Sequence, residues 1–225
     1  MEKEEKTLQL CEQLHQKNSI KRNAYLQAEE GFRLLRAEAE QFVKTYQASH
    51  PDSPIEVLFE SRQERCFSLQ FGSDILYFVL HSNSFEFNRD HEVMKLPYIK
   101  EEKTRSYCGM INVYNFLTDS VLYNRYNDAG YLIGRIFINT ENHYYIDGKK
   151  ELGQIYNNFA NNTFDENAVR LILEAAVQYS IGFDLLVPPY DSMKEISVMD
   201  MIEINNQHAP IRTGKRLGFH FQADM

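Results

Sequence analysis

The sequence predicts an α+β protein: an antiparallel sheet of about six to eight strands, with a long N-terminal helix and a second helix packed on the sheet. Three observations predict it. The first fifty residues contain no proline and a single glycine, Gly31, and are rich in Glu, Gln, Lys, Ala and Leu, which are good helix formers. After residue 54 the apolar period changes from 3.6 towards 2. The strand-like runs are grouped rather than alternating with helices, which favours an antiparallel sheet over a parallel α/β layer.

In the N-terminal segment, apolar residues recur from Tyr25 at Ala28, Phe32, Leu35, Ala39, Phe42 and Tyr46, a heptad seam. The same register traced backwards meets the polar residues Lys21 and Asn18, so a break or kink is expected near residue 18. Length argues the same way. A straight helix from residue 2 to 47 would be about 69 Å long, against a radius of gyration of about 17 Å for a compact chain of this size. Such a helix either bends, or projects and pairs with another chain. The expected arrangement lays the seam on the chain's own sheet; in the alternative, Phe32, Leu35 and Phe42 mediate oligomerisation. Residues 1–48 thus form a helical segment, and "SHPDSP" (Ser49–Pro54) separates it from one α+β domain over 55–225.

The first strands are expected at Ile55–Glu60, Cys66–Phe71, Ile75–His81 and Ser84–Phe87, with "GSD" (Gly72–Asp74) as a hairpin turn. "ILYFVL" is apolar on both faces, which predicts a central strand covered on both sides. Residues 88–105 are charged and aperiodic and read as an excursion with a helical turn. Strands resume at Tyr107–Leu117, Ser120–Tyr126, Tyr131–Asn139 and His143–Asp147, separated by Asn-, Asp- and Gly-rich turns. A helix is predicted over Asp165–Phe183, capped by Thr163 or Asp165 and stopped by Gly182. Met193–Asn206 fits a short helix or a strand, and "RLGFHF" (Arg216–Phe221) an edge strand.

Composition bounds the function. Hydrophobic residues make up 43% and charged residues 25%, enough apolar material for a core. A formal charge of −8 argues against nucleic-acid binding, which favours a basic surplus. The three cysteines, Cys11, Cys66 and Cys108, form no CxxC pair and read as reduced thiols. The N-terminus "MEKEEKTLQL" has no apolar signal core, and no apolar run approaches the ~20 residues of a membrane helix. A cytoplasmic location with no membrane contact is the expectation.

Within "YLIGRIFIN", uniform alternation puts Leu132, Gly134, Ile136 and Ile138 on a buried face. Tyr131, Ile133, Arg135, Phe137 and Asn139 then share the other. That mixture of aromatic side chains and arginine is the composition of a contact surface. The competing reading has the N-terminal helix covering this face, with Arg135 paired to Glu38 or Glu40. Residues 107–159 are dense in tyrosine and asparagine, which suits recognition and equally suits strands. In the tail "RTGKRLG" (Arg212–Gly218), Lys215 and Arg216 could hold an anion beside a backbone nest, or dock onto the protein's own acidic surface. The seven histidines include no HExxH pair, and Asp90, His91 and Glu92 are adjacent and so do not share a face. No metal or cofactor is expected, and no GxSxG elbow occurs.

These readings favour a non-catalytic protein-interaction module that binds a protein partner or its own copy. One alternative is a small-molecule binder or enzyme with a cleft between sheet and helix. There Arg135, His143, a tyrosine and Lys215 or Arg216 would meet an anionic ligand. Another is nucleic-acid contact through the basic tail.

Overall fold

The computed structural model describes residues 2–126, 128–155, 158–183, 187, 189–199 and 201–202. Residues 203–225, which include Lys215, Arg216 and the expected edge strand at 216–221, lie outside them. Helix α1 (Glu2–Ser49) is one unbroken run of 48 residues. No break falls at Lys17–Lys21. Asn18 and Lys21 interrupt the apolar seam without interrupting the backbone ladder, and the Asn18 Nδ2 donates to Leu14 O at 2.8 Å.

Seven strands form one antiparallel sheet: β1 (Val57–Gln63), β2 (Cys66–Phe71), β3 (Asp74–Leu80), β4 (Phe85–Glu86), β5 (Tyr107–Leu117), β6 (Tyr131–Asn139) and β7 (Tyr144–Gly148). The order is β1-β2-β3-β5-β6-β7, with β4 paired to the start of β5, where Phe85 faces Cys108. Short helices α2 (Pro97–Glu101), α3 (Thr118–Leu122) and α4 (Lys150–Gln154) lie about it, α5 (Glu166–Ile181) packs beside α1, and a further short helix α6 (Tyr190–Met193) follows. Asp165 caps α5, accepting from Ala168 N at 2.9 Å, and Gly182 N closes it on Gln178 O at 3.0 Å.

The strand expected over Ser120–Tyr126 is instead helix α3 and a turn. Asn124 takes a left-handed φ of 50°. Alternation there has no second layer to bury into, since Leu122 and Tyr126 are exposed, and β5 pairs directly with β6.

One face of the sheet is sealed by α1, α4 and α5. Ala28, Phe32, Leu35 and Ala39 of α1 sit buried against Phe67, Phe78, Ile111 and Ile136. The Phe32 and Phe67 rings lie 5.1 Å apart, and Phe67 stacks on Phe78 at 4.7 Å. Each such side chain contributes about 1.5–3 kcal/mol by leaving water. The helix approaches the sheet closely because Gly109 faces it: a Cβ there would collide with Ala28. Within this apolar layer Asn115 Nδ2 donates to Ser180 Oγ at 2.8 Å, tying β5 to α5.

The helix therefore covers the face opposite Arg135, and neither Glu38 nor Glu40 reaches that arginine. Arg135 pairs with Asp147 across the β6–β7 ladder, its Nε 3.1 Å from Asp147 Oδ2.

Candidate functional site

The outer face of the sheet is divided in two. Over the half nearest the β6–β7 turn lies the 87–106 excursion. Phe87, Val93, Tyr98 and Ile99 close over Cys108, Phe137 and Tyr145 from the sheet, with Phe159 between them, as a second core. Phe87 lies 4.8 Å from Phe137, and Tyr98 packs edge-on to Phe159 at 5.6 Å. Burial pushes the Cys108 thiol up, which leaves it a poor nucleophile.

A polar latch clamps this layer. Asn139, fully buried, donates from Nδ2 to Tyr98 Oη at 2.9 Å. Its Oδ1 accepts from Glu141 N at 3.0 Å and His143 N at 2.9 Å. Tyr98 Oη donates to Glu141 Oε2 at 2.8 Å, and Arg105 Nε donates to Glu141 Oε1 at 2.9 Å. The Tyr98 ring lies between the Arg105 guanidinium, 4.4 Å from its centroid, and the stacked His143 ring at 5.2 Å. Burial, opposed by the Asn139 bond and reinforced by Glu141, pushes the Tyr98 phenol up to about 12. Burial also raises Glu141, but its bonds from Arg105 and Tyr98 outweigh that and hold the carboxyl below its ordinary value. Tyr98 Oη, Arg105 Nε and Asn139 Nδ2 each have their acceptor within the chain, so the arrangement fastens a loop.

The 87–106 layer does not extend over the other half of the outer face; there the 118–130 segment lies at the rim, with Gly130 against the Phe116 ring and Val121 sharing a hollow with Tyr77, and Ser68 and Ile75 are buried. Across this half runs a row of directly paired residues, Ser68, Tyr77, Tyr114 and Leu132. Leu132 is 42% exposed, Tyr114 and Tyr77 are half-buried, and Leu58 nearby is 39% exposed. The row separates two shallow hollows. One, of about 240 Å³, includes Glu60, Cys66, Tyr77 and Val121 in its walls; the other, of about 160 Å³, includes Leu132, Arg135 and Asp147. Beyond the row, Arg125, with 5% of its side chain exposed, lies 3.6 Å from Asp128, and Ser120 Oγ donates to Asp128 Oδ2 at 2.7 Å. Those contacts hold the turn that carries the exposed Leu122 and Tyr126.

Leu132 reaches this surface through a β-bulge. The pairing shifts between Val113 and Tyr114, so Ile133 is the extra residue and joins the helix-side core. Uniform alternation is thereby corrected at both residues: Leu132 is outward and Ile133 is buried. Tyr131 turns to the helix side, where its ring meets Phe183 at 5.8 Å.

The residues expected to form one contact surface are therefore distributed. Arg135 borders the open half, its guanidinium over the Phe137 ring. Phe137 itself is buried in the second core, and His143 belongs to the latch, its Nδ1 3.1 Å from Phe159 O. His143 pairs near Asn139, four residues along β6 from Arg135, or about 14 Å at strand spacing, so the two do not meet. Phe32 and Leu35 are buried in the chain's own core, and Phe42 packs half-buried against it. His91 caps a 3-10 turn at Val93, and Glu92 accepts from Tyr145 Oη at 2.8 Å.

A cleft of about 700 Å³ opens between α5, α4 and the 161–163 segment, partly between sheet edge and helix. Glu151, Asp165 and Glu174 line it beside amides such as Asn162 and Gln178, with no cation among the described lining residues. Its charge is opposite in sign to what an anionic ligand needs, and none of Arg135, His143 or Tyr131 is among its described lining residues.

No helix of the described residues is long and apolar enough to cross a membrane. Comparison with protein-family models, with curated proteins and with solved structures finds no match.

Proposed function

We propose that this chain is a non-catalytic protein-interaction module and that its contact surface is the uncovered half of the outer sheet face. The carrying observation is the row Tyr77–Tyr114–Leu132, a paired aromatic and aliphatic stripe flanked by two hollows. Towards the β6–β7 turn the same outer face buries Cys108, Phe137 and Tyr145 beneath the 87–106 layer. Tyrosines fixed in strands offer wide contact area with little rotamer entropy left to lose, and hollows accept apolar side chains from a partner. The Arg135–Asp147 pair forms a charged rim, as contact surfaces commonly have. The partner that suits this chemistry is a protein presenting one or two protruding apolar side chains within a polar border.

Photo-crosslinking in the native cell tests it. A benzophenone side chain at Tyr114 is expected to yield a discrete protein adduct, and one at Leu26, on the solvent side of α1, is not. Leu132→Arg in the Tyr114 probe should abolish that adduct. Identical adducts from both positions, or none from Tyr114, would overturn the proposal.

A further inference from the structure

Only part of α1 is used by the globule. Its buried positions begin at Ala24, whereas residues 4–18 are exposed. The segment 4–18 therefore forms an arm of roughly 22 Å at 1.5 Å per residue, and Ser84 Oγ, donating to Lys21 O at 2.5 Å, fixes its root to the globule. The arm carries Leu8, Leu10 and Leu14 at 70%, 56% and 65% exposure, together with the exposed Cys11. Helices of this length are marginal on their own, but this one is already nucleated by the docked half of α1.

The heptad register that packs on the sheet does not end at Asn18 and Lys21. Continued towards the N-terminus it reaches Leu14, Cys11, Thr7 and Glu4, in steps of three and four residues. The stripe that meets the sheet from Ala28 onwards thus extends past it as a solvent-exposed helix face with Cys11 and Leu14 at its centre. We infer that this face binds the same face of a second copy, with the two arms antiparallel.

Two features choose that occupant. The charge along the arm is polarised: residues 4–12 carry Glu4, Glu5 and Glu12 against Lys6, a net of −2, and residues 13–22 carry Lys17, Lys21 and Arg22, a net of +3. Antiparallel pairing sets each acidic end against the other's basic root, whereas parallel pairing sets like against like. The seam is also complementary to its own reverse. With Cys11 opposite Leu14 of the second copy, Thr7 falls opposite Asn18 and Glu4 opposite Lys21. The centre is then apolar, flanked by Leu8 and Leu10, and the outer layers are hydrogen-bonding and ionic. Polar layers of this kind select register at some cost in stability. The contact is small, so association in the micromolar range is expected. The arms and the Tyr114 surface use different residues, so a dimer would present two partner surfaces.

The test is the mass of the full-length chain by light scattering between about 1 and about 200 µM, a range that brackets a weak specific interface. Twice the chain mass at the upper end, falling on dilution, is expected; a monomer throughout would overturn the inference. Leu14→Glu should give a monomer with unchanged helix content and unfolding temperature, because Leu14 is 65% exposed and lies outside the buried part of α1. A persistent dimer would place the contact elsewhere and overturn it. Orientation is read by treating the protein with oxidised glutathione. Leu14→Cys should crosslink to a dimer through Cys11 and the new cysteine, while the native chain stays uncrosslinked. Rapid crosslinking of the native chain through Cys11 would mean parallel arms and would also overturn it. The Tyr114 crosslink is expected to survive Leu14→Glu, so the two proposals can fail separately.

Discussion

The two faces of the one sheet bury their side chains by different means. The helix-side face is closed by continuous, regular elements: α1 supplies Ala28, Phe32, Leu35 and Ala39, and α5 supplies Val169, Ile172 and Ala176. The outer face is closed over half its area by an irregular excursion, and that layer holds because one buried amide and one tyrosine satisfy each other. A regular lid satisfies its own backbone and needs only apolar side chains. An irregular lid must bring hydrogen-bonding groups with it, and it ends where they run out. The open half lies beyond that limit.

Substitutions can break this contrast or sharpen it. The largest effect is expected at the helix-side face. Phe67→Ala empties the space between Phe32 and Phe78 and should cost about 3–5 kcal/mol in denaturant unfolding; a loss below about 1 kcal/mol would mean that α1 is not docked as described. Asn139→Ala comes next. It leaves the Glu141 and His143 backbone amides without their acceptor and takes one donor from Tyr98 Oη, which keeps its bond to Glu141, and a loss of about 1–3 kcal/mol is expected. Amide exchange should quicken in residues 92–106 ahead of β2 and β3; equal acceleration everywhere would deny the latch its local role.

The latch also predicts an alkaline response. The Tyr98 phenol is raised from about 10 to about 12, chiefly by burial, so the folded state holds that proton more tightly than the unfolded chain. Its contribution is present in full below about pH 10 and is lost as pH rises from there through about 12. Tyr98→Phe should flatten the stability profile across that window, and a profile identical to the native one would remove Tyr98 as its source. The smallest effect belongs to the open half. Leu132→Ser should change stability by no more than about 0.5 kcal/mol, because the residue borders solvent. A loss several times larger would show that something within the chain covers this surface.

Much of the architecture is legible from local pattern. The seam from Tyr25 to Tyr46 marks the docking stripe of α1, and Asp165 with Gly182 brackets α5 almost to the residue. The strand at Tyr107–Leu117 is recovered exactly as read. Ser120–Tyr126 is not, because alternation is necessary for a half-buried strand but does not guarantee a neighbour to pair with. The candidate surface was legible only in part. Arg135 borders it, but Phe137 and His143 are enclosed by an excursion whose sequence shows no period at all. Tyr77 and Tyr114 carried no signal separating them from any other strand tyrosine, and Leu132 was assigned inward by a rule that one bulge reverses.

What the sequence determined by itself, then, is the kind of each long element and the side that each prefers to bury, since period and capping act between residues close in the chain. Only the tertiary structure decided which face α1 would cover, where the pairing would slip at Ile133, and how far the 87–106 layer would extend. Those outcomes depend on contacts between residues distant in sequence: Gly109 admitting Ala28, and Asn139 meeting Tyr98. No local pattern encodes which of many compatible partners such a residue will find.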